Sequence, residues 1–142
     1  MSLKIEDVMV KPVITLSVAS FVREAVEIMS KHGIGCIVIV HDETPVGIIT
    51  QQDMLGRVLL ASMDPFTTKL SQVMSAPIIF GEPKMSVQDA VALMTEKKIK
   101  HLPIIENRNL LGLVTITDLI RSKAYLEHIF SRLSTNVSTA TG

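Results

Sequence analysis

GLVTITDL, residues 112–119, and GIITQQDM, residues 47–54, share one grammar: a glycine, an apolar strand, a threonine, two spacers, an aspartate and a large apolar residue. Gly47, Thr50 and Asp53 stand 65 positions before Gly112, Thr115 and Asp118. The same offset runs outward without a gap, matching residues 4–55 to residues 69–120. KIEDVM (4–9) falls on KLSQVM (69–74), Pro12 on Pro77, Ile14 on Ile79, and Ala25, Val26 and Met29 on Ala90, Val91 and Met94. A register held through so many turns and glycines marks an ancestral unit of about half the chain, duplicated and fused.

Each copy reads β-α-β-β-α. A short extended stretch (13–16; 78–80) precedes a helix (about 20–32; 86–97). Val22, Ala25, Val26 and Met29, and Val87, Ala90, Val91 and Met94, recur at the spacing of one helical face. A strand (36–40; 101–105), a polar turn and a second strand (46–50; 110–114) form a hairpin. The strands are runs of Ile, Val and Leu, which predicts cover on both sheet faces. Met9, Met29, Met74 and Met94 recur by repeat and read as core. A closing helix starts at each Thr-x-x-Asp. It runs to about 62 in the first copy and to about 133 in the second, where Leu119, Ile120, Tyr125, Leu126, Ile129 and Phe130 give it an apolar side. The expected class is α/β (α+β), with repeats over 1–62 and 69–133, a linker over 63–68 and a disordered tail over 134–142. Neither half can cover its own sheet, so the two should pack together.

Charge excludes several roles. The 14 basic and 14 acidic residues are spread along the chain, which argues against nucleic acid and against a membrane surface as partner. Apolar runs such as CIVIV (36–40) are too short to span a bilayer. The N-terminal residues lack the apolar core of a secretion signal, and a cytoplasmic location is expected. A single cysteine, Cys36, excludes an internal disulfide and a cysteine-built zinc site, and it reads as a small core residue. His32, His41, His101 and His128 do not fall at metal-ligand spacings. No P-loop, no G-x-G-x-x-G and no Ser-His-Asp set is present, so the chain reads as no enzyme, with no cofactor required.

Thr-x-x-Asp carries two readings. As a capping box, the threonine caps the closing helix and the aspartate returns to the cap amide. As a ligand corner, the helix start attracts an anion, the hydroxyl donates to a phosphate, and the carboxylate accepts both hydrogens of a ribose diol. The readings agree on the threonine and compete for the aspartate.

VMVKP and VMSAP at the repeat starts, HLPII in the second copy, and GIITQQD and GLVTITD at the closing corners resemble a tandem pair of CBS domains, the module named after cystathionine beta-synthase. The first copy departs from the pattern: its strand GCIVIV lacks a counterpart of Pro103. The resemblance covers nearly the whole chain. It implies two sheets packed about a pseudo-two-fold axis with two clefts between the repeats, disc-like dimers, and binding of adenine nucleotides or S-adenosylmethionine. It also implies that each Thr/Asp corner faces the second strand of the other repeat. Carried over, Thr50 and Asp53 would face Lys100, His101, Leu102 and Pro103. Thr115 and Asp118 would face Gly35, Cys36, Ile37 and Val38, with Ile14 and Thr15 nearby. The first cleft would hold a lysine and a histidine that charges near pH 6–7. The second would be uncharged, with Arg121 and Lys123 on the following helix. The expected function is a regulatory module that binds AMP, ADP, ATP or S-adenosylmethionine and signals in trans to an unidentified partner, as a homodimer. The alternative is a structural dimerisation module with vestigial clefts.

Overall fold

The computed structural model describes residues 3–122 and 130–133. After a single 3-10 turn (Ile5–Asp7), the first repeat runs β1 (Thr15–Ser17), α1 (Val22–His32), β2 (Cys36–His41), β3 (Thr44–Thr50) and α2 (Gln51–Asp53), which continues as π-helical turns over Met54–Leu59. The second runs α3 (Leu70–Val73), α4 (Val87–Lys97), β4 (His101–Glu106), β5 (Asn109–Thr115) and α5 (Ile116–Arg121). The tail over 134–142 and the apolar positions Tyr125, Leu126 and Ile129 lie outside the described residues.

In the first sheet β1 runs parallel to β2, and β2 antiparallel to β3. In the second, β4 and β5 pair antiparallel. The extended stretch expected at 78–80 leaves only one bridge, Gly81 to Ile104, at the position equivalent to Leu16 opposite Ile39. Both hairpins close on two residues with positive φ, Asp42 and Glu43 in one and Asn107 and Arg108 in the other, the twist that two-residue hairpin turns require. Cover on both faces holds for β2 and β4, whose residues are buried in succession. β3 instead alternates between buried and half-buried. Val26 is 44% exposed, so the apolar stripe of α1 is narrower than its spacing suggested, resting on Val22, Ala25 and Met29.

The two cores are built by exchange. Ile5, from the start of the first repeat, is fully buried among Val87, Met94, Leu102, Ile104, Val114 and Leu119 of the second. Leu70 and Val73, from the start of the second repeat, complete the core of Val22, Met29, Ile37, Ile39 and Ile49 in the first. The backbone shows the same crossing. Val10 bridges Leu113 and Ser75 bridges Ile48, while Lys4 bridges Ser86 and Lys69 bridges Phe21. Within each pair one contact is the other with its two residues exchanged between repeats, which is the signature of a pseudo-two-fold axis. The glycines of the opening motif serve this crossing. A Cβ on Gly47 would stand 2.6 Å from Sδ of Met74, and one on Gly112 would stand 2.6 Å from Sδ of Met9. Both methionines are therefore core contacts delivered to the other repeat.

The linker is ordered over α1. Phe21, the N-cap of α1, offers no side-chain cap. The carbonyls of Thr68 and Pro65 accept from the Val22 and Arg23 amides instead, at 2.9 and 3.0 Å. The Arg23 guanidinium lies 4.6 Å from the Phe66 ring centroid, a cation–π contact that holds the linker down.

Candidate functional site

Where each strand of a repeat ends at its threonine, the chain turns into the closing helix and opens a cleft. The first cleft, about 580 Å³, is lined by Thr50, Gln51, Gln52 and Asp53 from one repeat and by Pro77, Ile79, Lys98, Ile99, Lys100 and His101 from the other. The second, about 300 Å³, is lined by Thr115 and Asp118 and by Pro12, Ile14, Gly33, Ile34, Gly35 and Cys36. Most of their walls correspond under the repeat offset: Thr50, Asp53, Pro77, Ile79, Lys98, Ile99, Lys100 and His101 fall on Thr115, Asp118, Pro12, Ile14, Gly33, Ile34, Gly35 and Cys36. Both volumes lie in the range of small-molecule sites.

Not every expected residue reaches a cleft. Leu102, Ile37 and Val38 are fully buried in strand interiors, Pro103 is buried beside them, and Thr15 sits exposed on β1. None of them lines either cleft; of β2 and β4 only the first residue, Cys36 or His101, does so. Conversely, Lys98 and the α2 glutamines line the first cleft although they lie outside the Thr/Asp and HLPII motifs. Lys98 was recoverable from the repeat itself. HGIGC (32–36) falls on KKIKH (97–101), so two glycines become two lysines and a cysteine becomes a histidine. Lys98 also holds a left-handed conformation (φ 56°) at the C-cap of α4, where α1 has Gly33 (φ 62°). A side chain there costs roughly 1–2 kcal/mol, a cost the glycine of the first repeat avoids. Arg121 lies on the exposed side of α5, and Lys123 is outside the described residues.

Both Thr-x-x-Asp corners form closed capping boxes. Thr50 Oγ1 accepts from the Asp53 amide at 3.2 Å, and the Thr50 amide donates to Asp53 Oδ2 at 3.0 Å. Thr115 and Asp118 repeat this at 3.1 Å in each direction. The carboxylates differ beyond the cap. Asp53, 8% exposed, also accepts from Ser75 Oγ at 3.1 Å and has Arg57 Nε at 3.7 Å. Asp118 is half-buried, and among the described residues nothing donates to its Oδ1.

Gly35 and His101 line both clefts, and a Cβ on Gly35 would lie 3.6 Å from His101 Nε2. The His101 pKa is lowered from 6.5, chiefly by burial and then by Lys100, with Asp118 acting the other way. The charge expected near pH 6–7 therefore appears lower. A bound phosphate favours the protonated ring, so binding takes up a proton and affinity should rise as pH falls, with the lowered pKa of the free site moving that rise toward lower pH. There the phosphate's own ionisation, near pH 6, opposes it. AMP affinity is thus expected to be flat from about pH 7 to 8, checked by titration at fixed ionic strength. The group's share of stability is present above 6.5 and declines as pH falls below that value, because the unfolded chain then binds the extra proton. Burial, with a smaller contribution from Asp53, pushes the Cys36 thiol up to about 12, so it lines its cleft as a neutral group and not as a nucleophile.

Among the described residues no helix is long and apolar enough to cross a membrane, and no group of His, Cys, Asp and Glu could hold a metal ion. The CBS-domain family model matches residues 5–60 and 70–125. An uncharacterised protein of Methanopyrus kandleri is 37% identical over 127 residues, covering 88% of this chain, which spans only 65% of that protein's length. The CBS domain-containing protein YhcV of Bacillus subtilis is 34% identical over 94% of both chains. Among solved structures, the CBS domain pair of protein MJ0100, in complex with 5′-methylthioadenosine and S-adenosylmethionine, superposes with a TM-score of 0.78 at 26% identity. It covers 85% of this chain and 95% of that one.

Proposed function

We propose that this chain, which belongs to the CBS-domain family and carries one domain in each half, is a regulatory module for adenosine-containing ligands. The observation that carries the reading is the pair of corresponding clefts, each walled by the Thr/Asp corner of one repeat and the helix-to-strand turn of the other. A ligand in either cleft touches both repeats and so biases how they pack. The effect passed to a partner in trans can be no larger than the ligand's differential affinity for the two packings. The ligand class is AMP, ADP, ATP or S-adenosylmethionine, in keeping with the adenosine compounds bound by the MJ0100 pair. Lys98, Lys100 and His101 would serve a phosphate, and Ile14, Gly35, Cys36, Thr115 and Asp118 a nucleoside.

A second reading rests on a different surface. Leu55, Leu59, Leu60, Ile120, Phe130 and Leu133 are all large apolar residues left about half or more exposed, more than a solitary copy readily carries. We assign these exposed residues of the closing helical segments to a homodimer contact, which a monomeric mass in light scattering would contradict. If the clefts take no ligand, dimerisation is what remains. The test is thermal unfolding with each nucleotide and with S-adenosylmethionine. A ligand at a hundred times its Kd adds about 2.7 kcal/mol to the unfolding free energy, a rise of several degrees. No shift with any of them at millimolar concentration favours the structural module.

A further inference from the structure

Asp53 and Asp118 occupy equivalent corners, yet their surroundings differ in a way that bears on what each cleft can read. To hold a ribose, a carboxylate accepts the two vicinal hydroxyls at once, which requires open lone pairs on both oxygens. Asp53 lacks them. Its Oδ2 takes the Thr50 amide at 3.0 Å and the Thr50 hydroxyl at 3.2 Å. The Ser75 hydroxyl reaches Oδ1 at 3.1 Å and Oδ2 at 3.3 Å. Arg57 stands beside Oδ1 with Nε at 3.7 Å. Arg57 is itself fixed, since its guanidinium donates to the carbonyls of Val73 at 3.2 Å and Met74 at 2.7 Å. Ser75 is fixed by its backbone pair with Ile48. In the other half Val10 stands where Ser75 would be, and Ser122 where Arg57 would be. Neither supplies a cation, and Val10 has no side-chain donor. Asp118 Oδ2 takes only the Thr115 amide, which leaves it one lone pair, and Oδ1 stays open among the described residues.

We infer that Ser75 and Arg57 set the ligand class of the two clefts: they commit Asp53 to clasping the 73–75 segment, so a ribose diol is read only at Asp118. The first cleft then keeps its lysines for an anion and does not distinguish ribose from deoxyribose. The second selects an intact diol. This rests on the proposal that the clefts take adenosine compounds.

The test is calorimetric titration of the full chain with adenosine and with 2′-deoxyadenosine. The wild type is expected to bind adenosine at one diol-sensitive site per chain, with about tenfold or greater preference over the deoxy compound. Asp118→Asn should erase that preference, and Asp53→Asn should keep it. Should Asp53→Asn fail to fold, Ser75→Val combined with Arg57→Ser reads the same point. It installs the residues of the equivalent positions in the other half, frees Asp53 and should raise the diol-sensitive sites from one to two. A preference that follows Asp53, that needs both aspartates, or that stays at one site in the double variant overturns the inference while leaving the proposed function standing. No binding of any adenosine compound overturns both.

Discussion

Replacing Lys98, Lys100 and His101 together with alanine is expected to weaken AMP binding at the first cleft by about a hundredfold or more, while adenosine affinity stays within about twofold. The two lysines and the imidazole line one wall of that cleft, opposite Thr50. Charge-assisted hydrogen bonds contribute roughly 1.5–3 kcal/mol each, and about 1.4 kcal/mol is one decade in affinity, so losing two reaches two decades. Adenosine carries no phosphate and should not register the change. Lys98→Gly alone makes a sharper test because its two effects have opposite signs. It removes a cation from the cleft and also relieves the left-handed backbone at φ 56°. AMP affinity should fall while the melting temperature rises. Equal loss of AMP and adenosine in the triple variant would place the phosphate elsewhere.

The second large effect concerns the exchanged cores. Ile5→Ala is expected to cost about 2–5 kcal/mol and to lower the melting temperature on the order of 10 °C. Ile5 is fully buried, and the side chains around it belong to the second repeat. Native-state hydrogen exchange should therefore show faster exchange in β4 and β5 than in β2 and β3. Leu70→Ala should do the reverse, since Leu70 lies in the core of the first repeat. If each alteration instead loosened the repeat it belongs to by sequence, the crossing of the two segments would be refuted.

Some of this was legible in the residues and some was not, for physical reasons. The repeat offset, the α-β-β-α order common to both copies and the Thr-x-x-Asp corners follow from local periodicity and cap chemistry, and the structure shows them; the leading strand forms only in the first copy, its counterpart keeping a single bridge, Gly81 to Ile104. The exchange of Ile5 and Leu70 does not follow, because KIEDVM and KLSQVM have the same apolar spacing and suit either core equally well. Leu102 and Ile37 entered the expected site with their strands. Burial puts them in the cores, and only the first residue of each strand reaches a cleft. The clasp on Asp53 depends on Ser75, 22 positions away, being set beside Ile48 by backbone pairing across the repeats. No local pattern encodes that contact. The contrast of HGIGC with KKIKH was plain in the sequence, and its meaning came only when both stretches were found to wall equivalent clefts.

A third cavity, about 420 Å³ and lined by Thr44, Phe80, Glu82, Glu106 and Arg108, lies near the hairpin turns, away from both Thr/Asp corners. It supplies the contrast for the central claim that the corresponding clefts are the ligand sites. The direct measurement is an amide chemical-shift titration of the labelled chain with AMP. The account predicts saturable shifts at residues 50–53, 98–101, 33–36 and 115–118, and little change at residues 44, 80 and 106–108. Shifts centred on Phe80 and Arg108, or none anywhere up to millimolar AMP, would contradict it.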